Sequence, residues 1–347
     1  MKKIIDALNA NPMFRLSMSS LELFHSNFLE WLFDLDHEAF LKCFGLTVSN
    51  PAACTIEREY HLGTKEDKEW VTDIAVFENG NLILIIENKI KSTPSKGQLL
   101  NQSTFAGTAK KVLLSLFEYS GTLHGFIPVL YKHLIGEIRK NYALHSQFVP
   151  YIQDYCDMLD RLQFILDNDP LVKNWRGGYY TAHLPSPNLD TCGIMDAFRK
   201  YQAASLADEF EKRFIVTNPT SLSMTCEHSL NHKRACATIA YELNHGTLCV
   251  GVQVEQDQLR IFFENKDKEK SFNIDQTQKY WKEWLGNPLG GGNKKQYCSY
   301  SNSFIYRYVK LKGIITTDEL CNRVEELLDK IIAEYNYNRD TIFDVLK

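Results

Sequence analysis

Asp73, Glu87 and Lys89 are the residue types that hydrolyse phosphodiesters, and their spacing lets them meet. Glu87 and Lys89 stand two apart. Side chains on a strand alternate faces, so these two point one way and Asn88 the other. They close the apolar run Leu82-Ile83-Leu84-Ile85-Ile86, and a charge at the end of such a strand is costly unless it is paired or binds metal. Upstream lies Glu78-Asn79-Gly80-Asn81. Asn-Gly is the preferred filling of a two-residue hairpin turn, because both central residues need positive φ. That turn lays residues 70–77 beside residues 82–86 and carries Asp73 towards Glu87 and Lys89. Two carboxylates can hold Mg²⁺, an ion that prefers oxygen ligands. Such an ion lowers the pKa of a bound water and neutralises charge growing on a phosphate. A lysine beside it orients the water or stabilises the developing charge. The plain alternative is a salt bridge between Glu87 and Lys89 at a strand end. An isolated Glu-x-Lys favours that alternative; the buried-type strand and Asp73 favour the site.

The surrounding chain supplies elements to carry these residues. Residues 21–33 repeat Phe24, Phe28, Trp31 and Leu32 at helical spacing, after a cap at Ser19 or Ser20. Residues 54–60 predict a short strand, 94–102 a loop leading into a helix, 111–117 and 126–131 further strands, and 146–166 a long helix. Residues 171–190, within a Pro-, Gly- and Asn-rich stretch, read as a linker. Beyond it, a helix over 194–214 precedes strand-like runs at 235–242, 247–255, 259–263 and 304–311. A helix over 318–337 closes the chain, with Thr316 and Glu319 matching a capping box. The reading is an α/β domain over 1–170, a linker over 171–190 and an α+β extension with an antiparallel sheet over 191–347.

Asp73 followed by Ile86-Glu87-Asn88-Lys89 resembles the signature of the PD-(D/E)XK nuclease superfamily, and most nearly a prokaryotic group whose signature strand ends in Ile-Glu-Asn-Lys. Glu22 with His25-Ser26, then Phe28, Leu29 and Trp31, is similar to that group's opening helix. Gln98-Leu99 is similar to the start of the helix after its signature strand, and the helix around Tyr151, Ile152 and Tyr155 to the one that closes such domains. The resemblance covers residues 15–170. It departs at Thr72, where the family name puts Pro, and at Gln102, where relatives often have Tyr. It implies a restriction-endonuclease-like α/β core, a mixed central sheet flanked by helices. It also implies a Mg²⁺- or Mn²⁺-dependent hydrolase cutting nucleic acid, DNA foremost, and a homodimer as one assembly. Asp73, Glu87 and the Asn88 carbonyl would be metal ligands, with Glu22 completing the acidic cluster. Lys89 would position the water, and Gln98 would fix Lys89 or a substrate phosphate. Glu22 has a simpler role open to it, because a carboxylate in a helix's first turn suits the dipole. His25 could line the cleft or simply hold its helix to the sheet. Glu57 and Glu59 are not counted as ligands. A non-catalytic binding or assembly module on the same fold is the rival reading.

Bulk properties agree with a folded protein of ordinary composition, 44% hydrophobic and 24% charged. The net charge of −4 is not the footprint of a protein that coats nucleic acid non-specifically. Nine cysteines without a Cys-x-x-Cys pair predict reduced thiols and a cytoplasmic protein, and no apolar run suits a membrane. The loop Gly290-Gly291-Gly292-Asn293-Lys294-Lys295 lacks phosphate-loop spacing. The run Phe304-Ile305-Tyr306-Arg307-Tyr308-Val309-Lys310 could stack bases, but it matches one face of a half-buried sheet as well.

Overall fold

The computed structural model describes residues 1–17, 21–95, 97–144, 147–181, 184–215, 222–231, 234–243, 246–266, 298–301 and 303–345. The proposed caps Ser19 and Ser20 and the loop 290–295 lie outside these residues. The chain divides into two compact units, Met1–Lys173 with Pro185–Tyr201, and Asn174–Leu184 with Gln202–Lys347.

The first unit is built on five strands: β1 (Cys54–Lys65), β2 (Lys68–Glu78), β3 (Asn81–Lys89), β4 (Lys110–Ser115) and β5 (Ile127–Leu130). They lie in sequence order; β1, β2 and β3 are antiparallel, and β3, β4 and β5 parallel. The sheet is therefore mixed, as expected. Asn79 and Gly80 take φ of 51° and 78°, and Glu78 pairs with Asn81, so the hairpin turn forms where the sequence places it.

Helices cover both faces. Before β1 come α1 (Lys2–Ala10), α2 (Pro12–Ser17), α3 (Leu21–Leu35) and α4 (His37–Cys43). After β3 comes α5 (Gln98–Ala106), and after β5 come α6 (Tyr131–Asn141) and α7 (Val149–Asn168). Ala75, Ile85 and Leu113 pack with Leu99 and Ala106 of α5. The intervening residues Ile74, Val76, Leu84, Ile86 and Val112 are equally buried on the other side. A strand covered on both faces reads as an unbroken apolar run, which is why residues 82–86 do. On the second face α3 is held by a stack of Phe28 on Tyr155 of α7, ring centroids 3.7 Å apart.

The stretch read as a linker is folded. It holds α8 (Pro170–Arg176), β6 (Tyr179–Tyr180) and α9 (Pro187–Thr191). Two of its prolines, Pro170 and Pro187, instead stand at helix starts, where a missing N–H costs nothing. Asp169 ties this stretch down, accepting from Leu171 N (2.9 Å) and Ser186 Oγ (2.6 Å). Next, α10 (Met195–Phe210) begins in the first unit and ends in the second.

The second unit holds an antiparallel sheet of β7 (Ser223–Asn231), β8 (Arg234–Leu243), β9 (Leu248–Glu255), β10 (Gln258–Asn265), β11 (Cys298–Ser301) and β12 (Phe304–Lys310), ordered β11-β12-β10-β9-β8-β7. β13 (Ile315–Thr316) pairs with β6, and α11 (Thr317–Val345) follows. Glu319 N–H donates to Thr316 Oγ1 at 3.1 Å, the expected cap. Val250, Val252 and Val254 share one core with Leu320, Val324 and Leu328 of α11. On the opposite face Arg260, 1% exposed, donates to Glu255 at 2.7 and 2.5 Å and lies 4.3 Å over the Tyr306 ring. The aromatic run of β12 thus contributes packing: Tyr306 joins Ala240, Cys249 and Phe262, with Phe304 and Tyr308 against them. Among the described residues no helix is long and apolar enough to cross a membrane.

Candidate active site

The site forms where β2 and β3 part. Their paired register ends at Ile74 opposite Ile86, and its continuation sets Asp73 opposite Glu87. Beyond that point side chains take over from the ladder. Thr72 Oγ1 donates to the Ile86 carbonyl (3.2 Å), and Asp73 Oδ2 accepts from Asn88 N–H (2.6 Å). The two carboxylates share the sheet face that α5 covers, because alternation gives them the parity of Ala75 and Ile85.

Glu87 is buried and fully engaged. Its Oε1 accepts from Lys89 Nζ (2.5 Å) and Gln98 Nε2 (2.7 Å), and its Oε2 from Gln102 Nε2 (2.5 Å). Gln98 and Gln102 stand one helical turn apart on α5 and so reach the same group. Gln102 also donates to the Val71 carbonyl (2.8 Å); its own Oε1 has no hydrogen-bond partner among the described residues. Sequence reasoning treated Gln102 only as a departure from a family Tyr. The four-residue spacing from Gln98 was the signal that could have found it.

Charge is crowded here. Burial, and then the Glu87 carboxylate, push Asp73 up from 3.8 to about 7, against the pull of Lys89 and the Asn88 N–H. Burial works against the Lys89 ammonium, but Glu87 and Asp73 outweigh it and hold the group above its usual range. Glu59, on β1 and across from Asp73 in the register, adds to the repulsion on Asp73. The site is thus an acidic pair with one lysine, which is ion-paired to Glu87 and attracts Asp73 from a longer range.

Asn88 points to the other face and fastens it. Its Oδ1 accepts from Tyr131 Oη (2.7 Å), and its Nδ2 donates to Ser26 Oγ (3.2 Å) and the Glu22 carbonyl (3.3 Å). Glu22 therefore belongs to the helix on that second face. Its Oε1 accepts from Lys91 N (3.1 Å) and Ser92 Oγ (2.6 Å), just past the end of β3. The structure brings Asp73, Glu87, Lys89 and Gln98 together, and places Glu22 at their edge. His25 is fully buried, its Nδ1 2.8 Å from Tyr155 Oη, and burial lowers its pKa to about 3. It stays neutral and holds α3 to α7.

Family models, curated proteins and solved structures return no match to this chain. What the site can do must therefore come from its own chemistry. Among the described residues no three His, Cys, Asp or Glu side chains are grouped to hold a metal. The oxygens within reach are those of Asp73 and Glu87, with the Asn88 carbonyl next to Glu87 in sequence. Such a hard, anionic donor set suits Mg²⁺ or Mn²⁺ and not Zn²⁺, which favours His and Cys.

Proposed function

We propose that this chain is a metal-dependent nuclease that hydrolyses phosphodiester bonds, DNA foremost, by attack of water without a covalent intermediate. The observation that carries the reading is the pairing of Asp73 with Glu87 across the open end of the β2–β3 hairpin, with Lys89 on Glu87 at 2.5 Å. Two facing carboxylates, one with its pKa pushed up to about 7, are a configuration that a divalent cation relieves. Asp73, Glu87 and the Asn88 carbonyl would hold Mg²⁺ or Mn²⁺, with Glu22 at the edge. When bound, the ion supplies a more acidic water and neutralises charge on the phosphate.

The remaining work falls to this chain's own groups. Lys89 remains an ammonium because Glu87 and Asp73 sustain its charge, so it serves as a hydrogen-bond donor and electrostatic stabiliser and not as a base. Gln98 and Gln102 fix the Glu87 carboxylate and so fix where Lys89 stands. Asn88 aims its N–H at Asp73 while its side chain is locked on the far face. The deciding experiment is cleavage of single- and double-stranded DNA and RNA by wild type and Glu87→Ala, each with Mg²⁺, Mn²⁺ or EDTA. Metal-dependent cleavage lost in Glu87→Ala is the expected result; metal-independent cleavage, or cleavage retained in the variant, refutes the reading.

One observation favours a second reading, a non-catalytic binding or assembly module. Glu87 is already satisfied by three donors, which a purely structural salt bridge would also show. Absence of cleavage together with unchanged stability on adding Mg²⁺ or Mn²⁺ would support it.

A further inference from the structure

Two lysines beside the site have no role in the chemistry above. Lys91 lies two residues past the end of β3, beyond Glu87 and Lys89. Its backbone is fixed on both sides: its N–H donates to Glu22 Oε1 (3.1 Å), and its carbonyl accepts from Lys200 Nζ (2.9 Å). Lys91 Nζ lies against the turn before α10, 4.0 Å from where a Cβ on Gly193 would stand. Both lysines are half-buried, and neither ammonium has an ion pair within 4 Å among the described residues. Lys91 is disfavoured by burial and by Lys200, with Asp196 and Glu22 acting the other way.

A half-buried ammonium beside a second ammonium, with Asp196 and Glu22 acting on it but neither forming an ion pair with it, is only partly compensated in the protein alone. An anion that reaches both resolves it. We infer that Lys91 and Lys200 form an anion subsite taking a backbone phosphate of the nucleic acid next to the one cleaved. This rests on the nuclease reading of Asp73, Glu87 and Lys89. A strand whose scissile phosphate lies at the open end of the hairpin continues past the end of β3, where Lys91 stands. Lysine serves such a contact as a point charge with three donors. The acidic cluster would repel a phosphate, so two cations at its edge also direct the strand's approach.

The test measures duplex DNA binding against salt by the full chain carrying Lys89→Ala, which keeps the DNA intact, with Mg²⁺ present. Each lysine–phosphate contact contributes about 0.9 to the slope of log affinity against log salt, so Lys91→Gln with Lys200→Gln should flatten it by about 1.8. Lys91→Arg with Lys200→Arg should keep the slope. If the parent binds and the glutamine variant shows the same slope, the subsite is overturned while the nuclease reading stands. If the parent fails to bind any nucleic acid, both are overturned. Should the double variant melt early, Lys91→Gln alone decides, with an expected loss of about 0.9.

Discussion

Without metal, Asp73→Asn should stabilise the protein, and by more at pH 8 than at pH 5. The folded state raises the Asp73 pKa from 3.8 to about 7 through burial and Glu87. The folded protein therefore holds a proton that the unfolded chain has released. The stability linked to that proton is complete below pH 3.8 and is lost as pH rises through about 7. At 1.36 kcal/mol per pKa unit, the ceiling on the loss is about 4 kcal/mol at pH 8 and about 2 kcal/mol at pH 5. Residual solvent access to Asp73 halves both figures, to about 2 kcal/mol at pH 8, or roughly 4–8 °C in Tm, and about 1 kcal/mol at pH 5. Asparagine cannot ionise, yet its Oδ1 can still accept from the Asn88 N–H. Thermal melts in EDTA at the two pH values read the effect directly. A variant no more stable than wild type at pH 8, or a gain that does not grow from pH 5 to pH 8, would refute the electrostatic account. Adding Mn²⁺ should reverse the order, since only wild type has the ligand.

Other perturbations separate chemistry from architecture. Lys89→Ala should abolish cleavage while Mn²⁺ binding, followed by calorimetry, is largely retained; full activity would remove lysine from the mechanism. Asn88→Ala takes one buried partner from Tyr131 Oη, which keeps Tyr155, and one from Ser26 Oγ, which keeps the Glu22 carbonyl, and should cost about 1–3 kcal/mol in denaturant unfolding; a cost under about 0.5 kcal/mol would mean the fastening is weak. Arg260→Ala leaves buried Glu255 with only the longer Arg234 contact at 3.6 Å and should cost about 3 kcal/mol, with Arg260→Ala/Glu255→Gln recovering part of it; a near-neutral Arg260→Ala would contradict that. Glu66 and Asp67 take φ of 53° and 59° in the β1–β2 turn, so Glu66→Asn with Asp67→Gly should raise stability by about 1 kcal/mol.

That last turn shows where the sequence stops being readable. The Asn79-Gly80 turn announces itself because its residues relieve the strain of positive φ. Glu66-Asp67 makes a turn of the same kind with residues that only tolerate it, so β1 reads as residues 54–60 where it runs Cys54–Lys65. Alternation gave Glu87 and Lys89 a common face and the hairpin turn laid Asp73 alongside; the register, continued from Ile74 opposite Ile86, sets Asp73 across from Glu87. It could not give Gln102, whose part depends on how α5 lies over β3, a packing outcome with no local signal beyond helical spacing. Four strands of the second unit, β8, β9, β10 and β12, were legible for the same reason β3 was, whereas β7 and β11 were not read as strands. The buried Arg260–Glu255 pair was not, because charged residues at strand ends ordinarily read as exposed. Composition misled at residues 171–190, where Pro187 begins a helix and the helix begun by Pro170 continues to Arg176.

Asn88 ties two histories together. One residue lends its backbone to Asp73 and its side chain to Tyr131, Ser26 and α3. The middle position of a Glu-x-Lys triplet is nominally free, but here it answers to partners on three other elements. A substitution there would arrive in a laboratory selection only alongside changes at Tyr131 or Ser26. A scan of single mutants would score Asn88 as intolerant in an assay of folding and in an assay of cutting alike. Only paired libraries at 88, 131 and 26 would reveal which side of the sheet sets the constraint.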